Sequence, residues 1–134
     1  MRFRLESVRY IPAQLEPGLL YVSKEFEIAV HLCACGCGTK IRTPLGPTEW
    51  SVRKTANGPI LDPSVGNWQE PCQSHYWIHR GEVKWADRWS QEQIAVGRRR
   101  EEQRRAAYFE TRGRERDGVF RKFSYWVRRL FRQQ

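Results

Sequence analysis

At 134 residues, 40% of them hydrophobic, the chain has room for one small core with an appendage, and no apolar run nears the roughly 18 residues that span a bilayer. Its net charge of +9 is uneven: residues 98–134 carry 13 basic and 5 acidic side chains, whereas residues 1–97 carry 11 and 10. The N-terminus has no apolar h-region of a signal peptide, so a cytoplasmic protein with reduced thiols is expected.

The first segment, Phe3 to Tyr10, alternates loosely and predicts an edge strand. Pro12, Pro17 and Gly18 then punctuate a turn. Leu19 to Ser23 and Phe26 to Leu32 predict two paired strands that deliver the chain into His31-Leu32-Cys33-Ala34-Cys35-Gly36-Cys37-Gly38. Thr39 to Thr43 is the expected return strand. Cysteines between two strands suit a knuckle, in which backbone N–H groups point at thiolate sulfurs and the glycines allow the tight path.

Trp50 to Lys54 and the run from Ile60 predict further strands, with Asn57-Gly58 as the hairpin signal between them. Cys72-Gln73-Ser74-His75 follows. It stands at the entrance of a second hairpin made by Tyr76 to His79 and Val83 to Trp85 around Gly81-Glu82. Two hairpin units offering ligands near turns predict an α+β chain: a small antiparallel, zinc-ribbon-like β domain over residues 1–89, then basic helices over residues 90–134.

From Ser90 the period changes. Ser90 with Gln93 has the capping-box pattern, and a helix is expected through Phe109, with Thr111, Gly113 and Gly118 marking a break. Counted from Phe123, residues Trp126, Val127, Leu130 and Phe131 fall at helical spacing, with Val119 and Phe120 behind them. This predicts a second helix with one apolar face among Arg121, Lys122, Arg128, Arg129 and Arg132.

Five side chains are candidate Zn²⁺ ligands: Cys33, Cys35, Cys37, Cys72 and His75. Thiolates and imidazole at this spacing suit a tetrahedral ion, and five candidates exceed the four places of a closed structural shell. The sequence does not choose among them. Buried free thiols are the plain alternative, though three alternating cysteines in one turn fill a core poorly. Catalysis would use Cys72 with His75 as base, or Ser74 beside His75. Trp50, Trp68, Trp77, Trp85 and Trp89 crowd the second half of the domain and are expected mostly in its core, with one or two rings exposed.

Four blocks carry a resemblance: Glu16 to Ser23, the cysteine turn from His31 to Gly38, Pro63-Ser64-Val65-Gly66-Asn67-Trp68, and Cys72 to Ile78. Together they resemble a bacterial family described as a domain of unknown function, over roughly residues 10 to 97. The resemblance implies a zinc-binding module encoded beside ubiquitin-like conjugation systems and antiphage defence. The expected function is accordingly a zinc-binding interaction or adaptor module with protein partners from such a pathway. Two alternatives stand: nucleic-acid binding through the Arg98 to Arg132 region, and a zinc- or cysteine-dependent enzyme. The apolar stripe of the last helix also leaves self-association open.

Overall fold

The computed structural model describes residues 1–130, and its contacts divide the chain into two units, Met1–Ser90 and Gln91–Gln134. The first unit is built from two four-stranded sheets. In the first sheet, β1 (Arg4–Ser7), β2 (Leu19–Ser23), β3 (Ile28–Leu32) and β4 (Lys40–Pro44) lie side by side in chain order. All neighbours are antiparallel except β1 and β2, which pair in parallel. The second sheet repeats the order with β5 (Ser51–Thr55), β6 (Gly58–Gly66), β7 (His75–His79) and β8 (Glu82–Trp85), all antiparallel.

The expected edge strand is β1, and the two following runs form β2 and β3. The β7–β8 hairpin closes through Arg80 and Gly81, both at positive φ (52° and 80°), the geometry that matches strand twist in a two-residue turn. A Cβ at Gly81 would lie 2.8 Å from the Phe3 carbonyl oxygen. That closeness lets the Phe3 amide donate to the Gly81 carbonyl at 2.6 Å and ties the N-terminal segment to the second sheet.

One core joins the two sheets. Leu20, Val22, Ala29 and Ile41 come from the first, and Leu61, Val65, Tyr76 and Ile78 from the second, with Phe3, Cys33 and Ala34 completing the cluster. Burying such side chains contributes about 1.5–3 kcal/mol each. Tyr76 is fully buried, and its hydroxyl meets His31 Nε2 at 2.9 Å and accepts the Ala34 amide at 3.4 Å. Burial lowers the pKa of His31 to about 4, so its ring is neutral inside the core.

The tryptophans depart from expectation. Trp77, Trp85 and Trp89 are 39%, 56% and 41% exposed, and Trp50 and Trp68 are half-buried. Strand period explains Trp77: in β7 the alternate residues Tyr76 and Ile78 face the core, so His75, Trp77 and His79 face outward.

Among the described residues the second unit holds one helix, α1 (Gln91–Leu130), rather than two. Gly113 and Gly118 each cost only about 1 kcal/mol relative to alanine, and neither removes a backbone donor as proline would. Glu101 pairs with Arg105 and Glu110 with Arg114, each four residues apart, while Arg112 donates to the Tyr108 hydroxyl at 3.0 Å. The Thr111 hydroxyl donates to the Ala107 carbonyl within the helix instead of ending it. Val119, Phe120, Phe123 and Trp126 are exposed. Phe131 and Arg132 lie outside the described residues. Among the described residues no helix is long and apolar enough to cross a membrane.

Candidate functional site

Two clusters of chemistry-bearing side chains flank the start of β7, one on each of its faces. The first is the cysteine group. Cys33 leaves β3, and its amide donates to the Thr39 carbonyl at 2.8 Å while its own carbonyl accepts the Gly36 amide at 3.1 Å. Gly36 and Gly38 sit at φ 86° and 81°, a left-handed path that a Cβ would strain, and this folds the turn back on itself. The sulfurs of Cys33, Cys35, Cys37 and Cys72 all lie within 4.8 Å of one another. Cys33 Sγ is 3.4 Å from Cys35 Sγ and 4.0 Å from Cys72 Sγ, far beyond a disulfide bond near 2.05 Å. Four thiolates about 2.3 Å from a common tetrahedral centre would stand about 3.8 Å apart, so this group can hold a metal ion.

Its electrostatics fit a cation. The Thr39 hydroxyl and amide lower Cys37 to about 6, while desolvation beside the other sulfurs raises Cys35 to about 12. Two neighbouring thiols pushed in opposite directions, as Cys35 and Cys37 are, are a state that a bound dication relieves. Cys33 is buried and further held by Ser74 Oγ at 3.1 Å and Asn67 Nδ2 at 3.5 Å. Asn67 Nδ2 also donates to Ser74 Oγ at 2.8 Å, and the Asn67 amide to the Ser74 carbonyl at 2.9 Å.

His75, the fifth metal candidate, is outside this group. One residue along the chain from Ser74, it points to the opposite side. Its Nε2 lies 3.0 Å from Ser64 Oγ, and its Nδ1 lies 3.2 Å from the main-chain carbonyl of Asp87. A carbonyl only accepts, so Nδ1 carries the proton and Nε2 presents a lone pair to the Ser64 hydroxyl. That tautomer is the one a general base needs. Neither Cys72 nor Ser74 meets the imidazole; both sit with the cysteine group, Cys72 Sγ 3.5 Å from Ser74 Oγ.

The strand register explains how Ser64 arrives there. Leu61 pairs with Ile78 but Val65 with Tyr76, so β6 carries two extra residues between those pairs. Beyond this bulge Val65 faces the core, and Ser64 and Gly66 face outward with His75. Gly66 is the direct partner of His75, and Ser64 is its diagonal neighbour. The imidazole is only 4% exposed although it lies on the outer face. Trp68, Trp77 and Trp89 cover it, with ring centroids 4.8, 5.5 and 5.1 Å from its own. Trp68 and Trp89 stack on each other at 5.6 Å and 18°. The loop after β8 supplies Trp89 and the Asp87 carbonyl, and the Ala86 amide fixes that loop on the His75 carbonyl at 2.9 Å.

Ser64 was not among the candidate residues. Its only sequence signal is its place in Pro63-Ser64-Val65-Gly66-Asn67-Trp68, since the bulge that turns it toward His75 leaves no periodic trace.

Neither a curated protein nor a solved structure matches the chain. One family profile does, over residues 7–86, a span that contains Ser64, His75 and all four cysteines. The expected link to a ubiquitin-like system is present in its description, together with a catalytic class that the expected adaptor lacked. With more than half of its residues matched, the chain belongs to the BubE family, the bacterial ubiquitination-like system serine proteases.

Proposed function

We propose that the chain is a serine protease of a bacterial ubiquitin-like modification system, with Ser64 as nucleophile and His75 as general base. The single observation that carries this reading is the 3.0 Å contact between Ser64 Oγ and His75 Nε2, with Nδ1 anchored on the Asp87 carbonyl. Ser64 Oγ attacks the scissile carbonyl carbon as its proton passes to His75 Nε2. The resulting tetrahedral species collapses, the departing amine takes that proton, and water releases the acyl group by the same steps in reverse order of roles. The Asp87 carbonyl orients the ring throughout. The family description supports a protein of the ubiquitin-like pathway as substrate and partner.

The cysteine group is then a structural Zn²⁺ site formed by Cys33, Cys35, Cys37 and Cys72. Four thiolates close a tetrahedral shell, which leaves His75 free for the reaction. The module is thus a scaffold for catalysis more than an adaptor. Incubating the protein with a fluorophosphonate probe and mapping the adduct by mass spectrometry tests the assignment. Modification of Ser64 that disappears in His75→Ala is the expected result; an unmodified Ser64 in folded protein would refute it.

A specific observation favours a second role for α1. Its arginines, including Arg98, Arg99, Arg100, Arg104 and Arg105, form a basic run beside exposed aromatic rings. Nucleic-acid binding through this helix predicts a gel shift that weakens steeply with salt and vanishes when residues 98–134 are removed. A shift that survives the truncation counts against the helix as the contact.

A further inference from the structure

A tetrahedral intermediate at Ser64 carries a negative oxygen, and its stabilisation is commonly the largest single contribution of such a site. The donor must stand on the outer face of β6, beside Ser64 and away from the core. Trp68 is the side chain that meets Gly66 on that face. Trp68 lays the nitrogen edge of its indole over Gly66: a Cβ built on Gly66 would lie 2.5 Å from Trp68 Nε1 and 2.7 Å from its Cε2. Gly66 faces the same side as Ser64, two residues along, a separation of about 6.7 Å in an extended strand. The indole edge therefore occupies the place that a side chain opposite His75 would take.

Three observations separate this edge from a merely covering ring. The indole N–H finds no acceptor among the described residues, so it is a donor without an internal use. It is also not one of the buried polar atoms without a partner, such as His31 Nδ1 and Trp50 Nε1, so the donor is not sealed away from an incoming group. Finally, the ring is held in place. It stacks on Trp89, meets His75 edge-on at 63°, and rests on a glycine whose lack of a Cβ permits the approach. A cover for the imidazole would need only ring area. A fixed and unspent N–H on the face that carries the nucleophile is what a developing oxyanion requires.

Resting on the Ser64–His75 reading, we infer that the Trp68 indole N–H donates to the oxyanion of the tetrahedral intermediate, and that Gly66 is the residue that lets it do so. When Ser64 Oγ bonds to the carbonyl carbon, the π pair moves onto oxygen and the proton goes to His75 Nε2. Trp68 Nε1–H then holds the new charge until the carbonyl re-forms. Removing one such donor costs about 10²-fold or more in kcat with little change in ground-state binding.

The test compares Trp68→Phe with the parent chain on a p-nitrophenyl ester, and measures inhibition by phenylboronic acid, whose serine adduct is tetrahedral. A loss of about 10²-fold in kcat, an almost unchanged KM, and a parallel loss of boronate affinity are expected. Gly66→Ala should reproduce the loss by displacing the indole. Should Trp68→Phe fold poorly, β-(3-benzothienyl)alanine introduced at position 68 keeps the two-ring shape without the N–H, and the same loss is expected. If either replacement leaves kcat within about threefold of the parent, Trp68 is not the donor and the Ser64–His75 assignment stands untouched. Parent hydrolysis that Ser64→Ala fails to abolish would overturn both.

Discussion

Ser64→Ala is expected to lower hydrolysis of a ubiquitin-like protein bearing a C-terminal fluorogenic amide by about 10³- to 10⁶-fold, the range seen when a serine nucleophile is lost. His75→Ala should fall to a similar level, and the double variant should lose little more, because the two groups act on one proton. Fold should survive. Ser64 is half-buried on the outer face of β6, and its side chain gives up one hydrogen bond, worth about 0.5–1.5 kcal/mol. Denaturant midpoints measured beside the kinetics separate a missing nucleophile from a missing fold. Ser74→Ala provides the contrast, since Ser74 adjoins His75 in sequence but serves Asn67 and Cys33. It should act on stability first.

The second large effect concerns the metal. The zinc proposed for the cysteine group would contribute about 10–16 kcal/mol of apparent binding free energy, the range of structural zinc sites and comparable with the 5–15 kcal/mol of total stability in a typical domain. Stripping it with a strong chelator should therefore unfold the Met1–Ser90 unit and silence Ser64 at the same time. The route is short. Cys33 is bound by Ser74 and Asn67, and these residues immediately precede His75 and follow Gly66. One zinc per chain by elemental analysis, with cooperative loss of β structure by circular dichroism on chelation, is the expected pair of results. A chain that keeps its β signal when metal-free would overturn the structural role.

Much of this is legible in the sequence, for physical reasons that vary along the chain. Leu19 to Ser23 and Ile28 to Leu32 are short, mostly apolar runs that form β2 and β3, buried on both faces along most of their length. The cysteines announced themselves through their spacing around Gly36 and Gly38, and the turn brings their sulfurs together. His75 reads from the sequence as a metal ligand, because the sequence does not show which face of β7 it occupies. Period 2 sends it away from Ser74, and that single alternation moves it from the cysteine group to Ser64. Ser64 itself was hidden by the bulge between Leu61 and Val65, an effect of pairing and not of local pattern. The helix break expected at Gly113 and Gly118 overweighted glycine against forty residues of favourable neighbours.

The stacked pair of Trp68 and Trp89 has an optical consequence. Two indoles 5.6 Å apart and 18° from coplanar couple their excited states, and a histidine lies edge-on against both. The near-ultraviolet circular dichroism of the protein is therefore expected to carry a signature of the face on which Ser64 and His75 meet. The proposed acylation of Ser64, or a ligand that slips beneath the indoles, should register as a change in that signature without a chromophore being added. The residues that shelter the imidazole also make its occupancy visible.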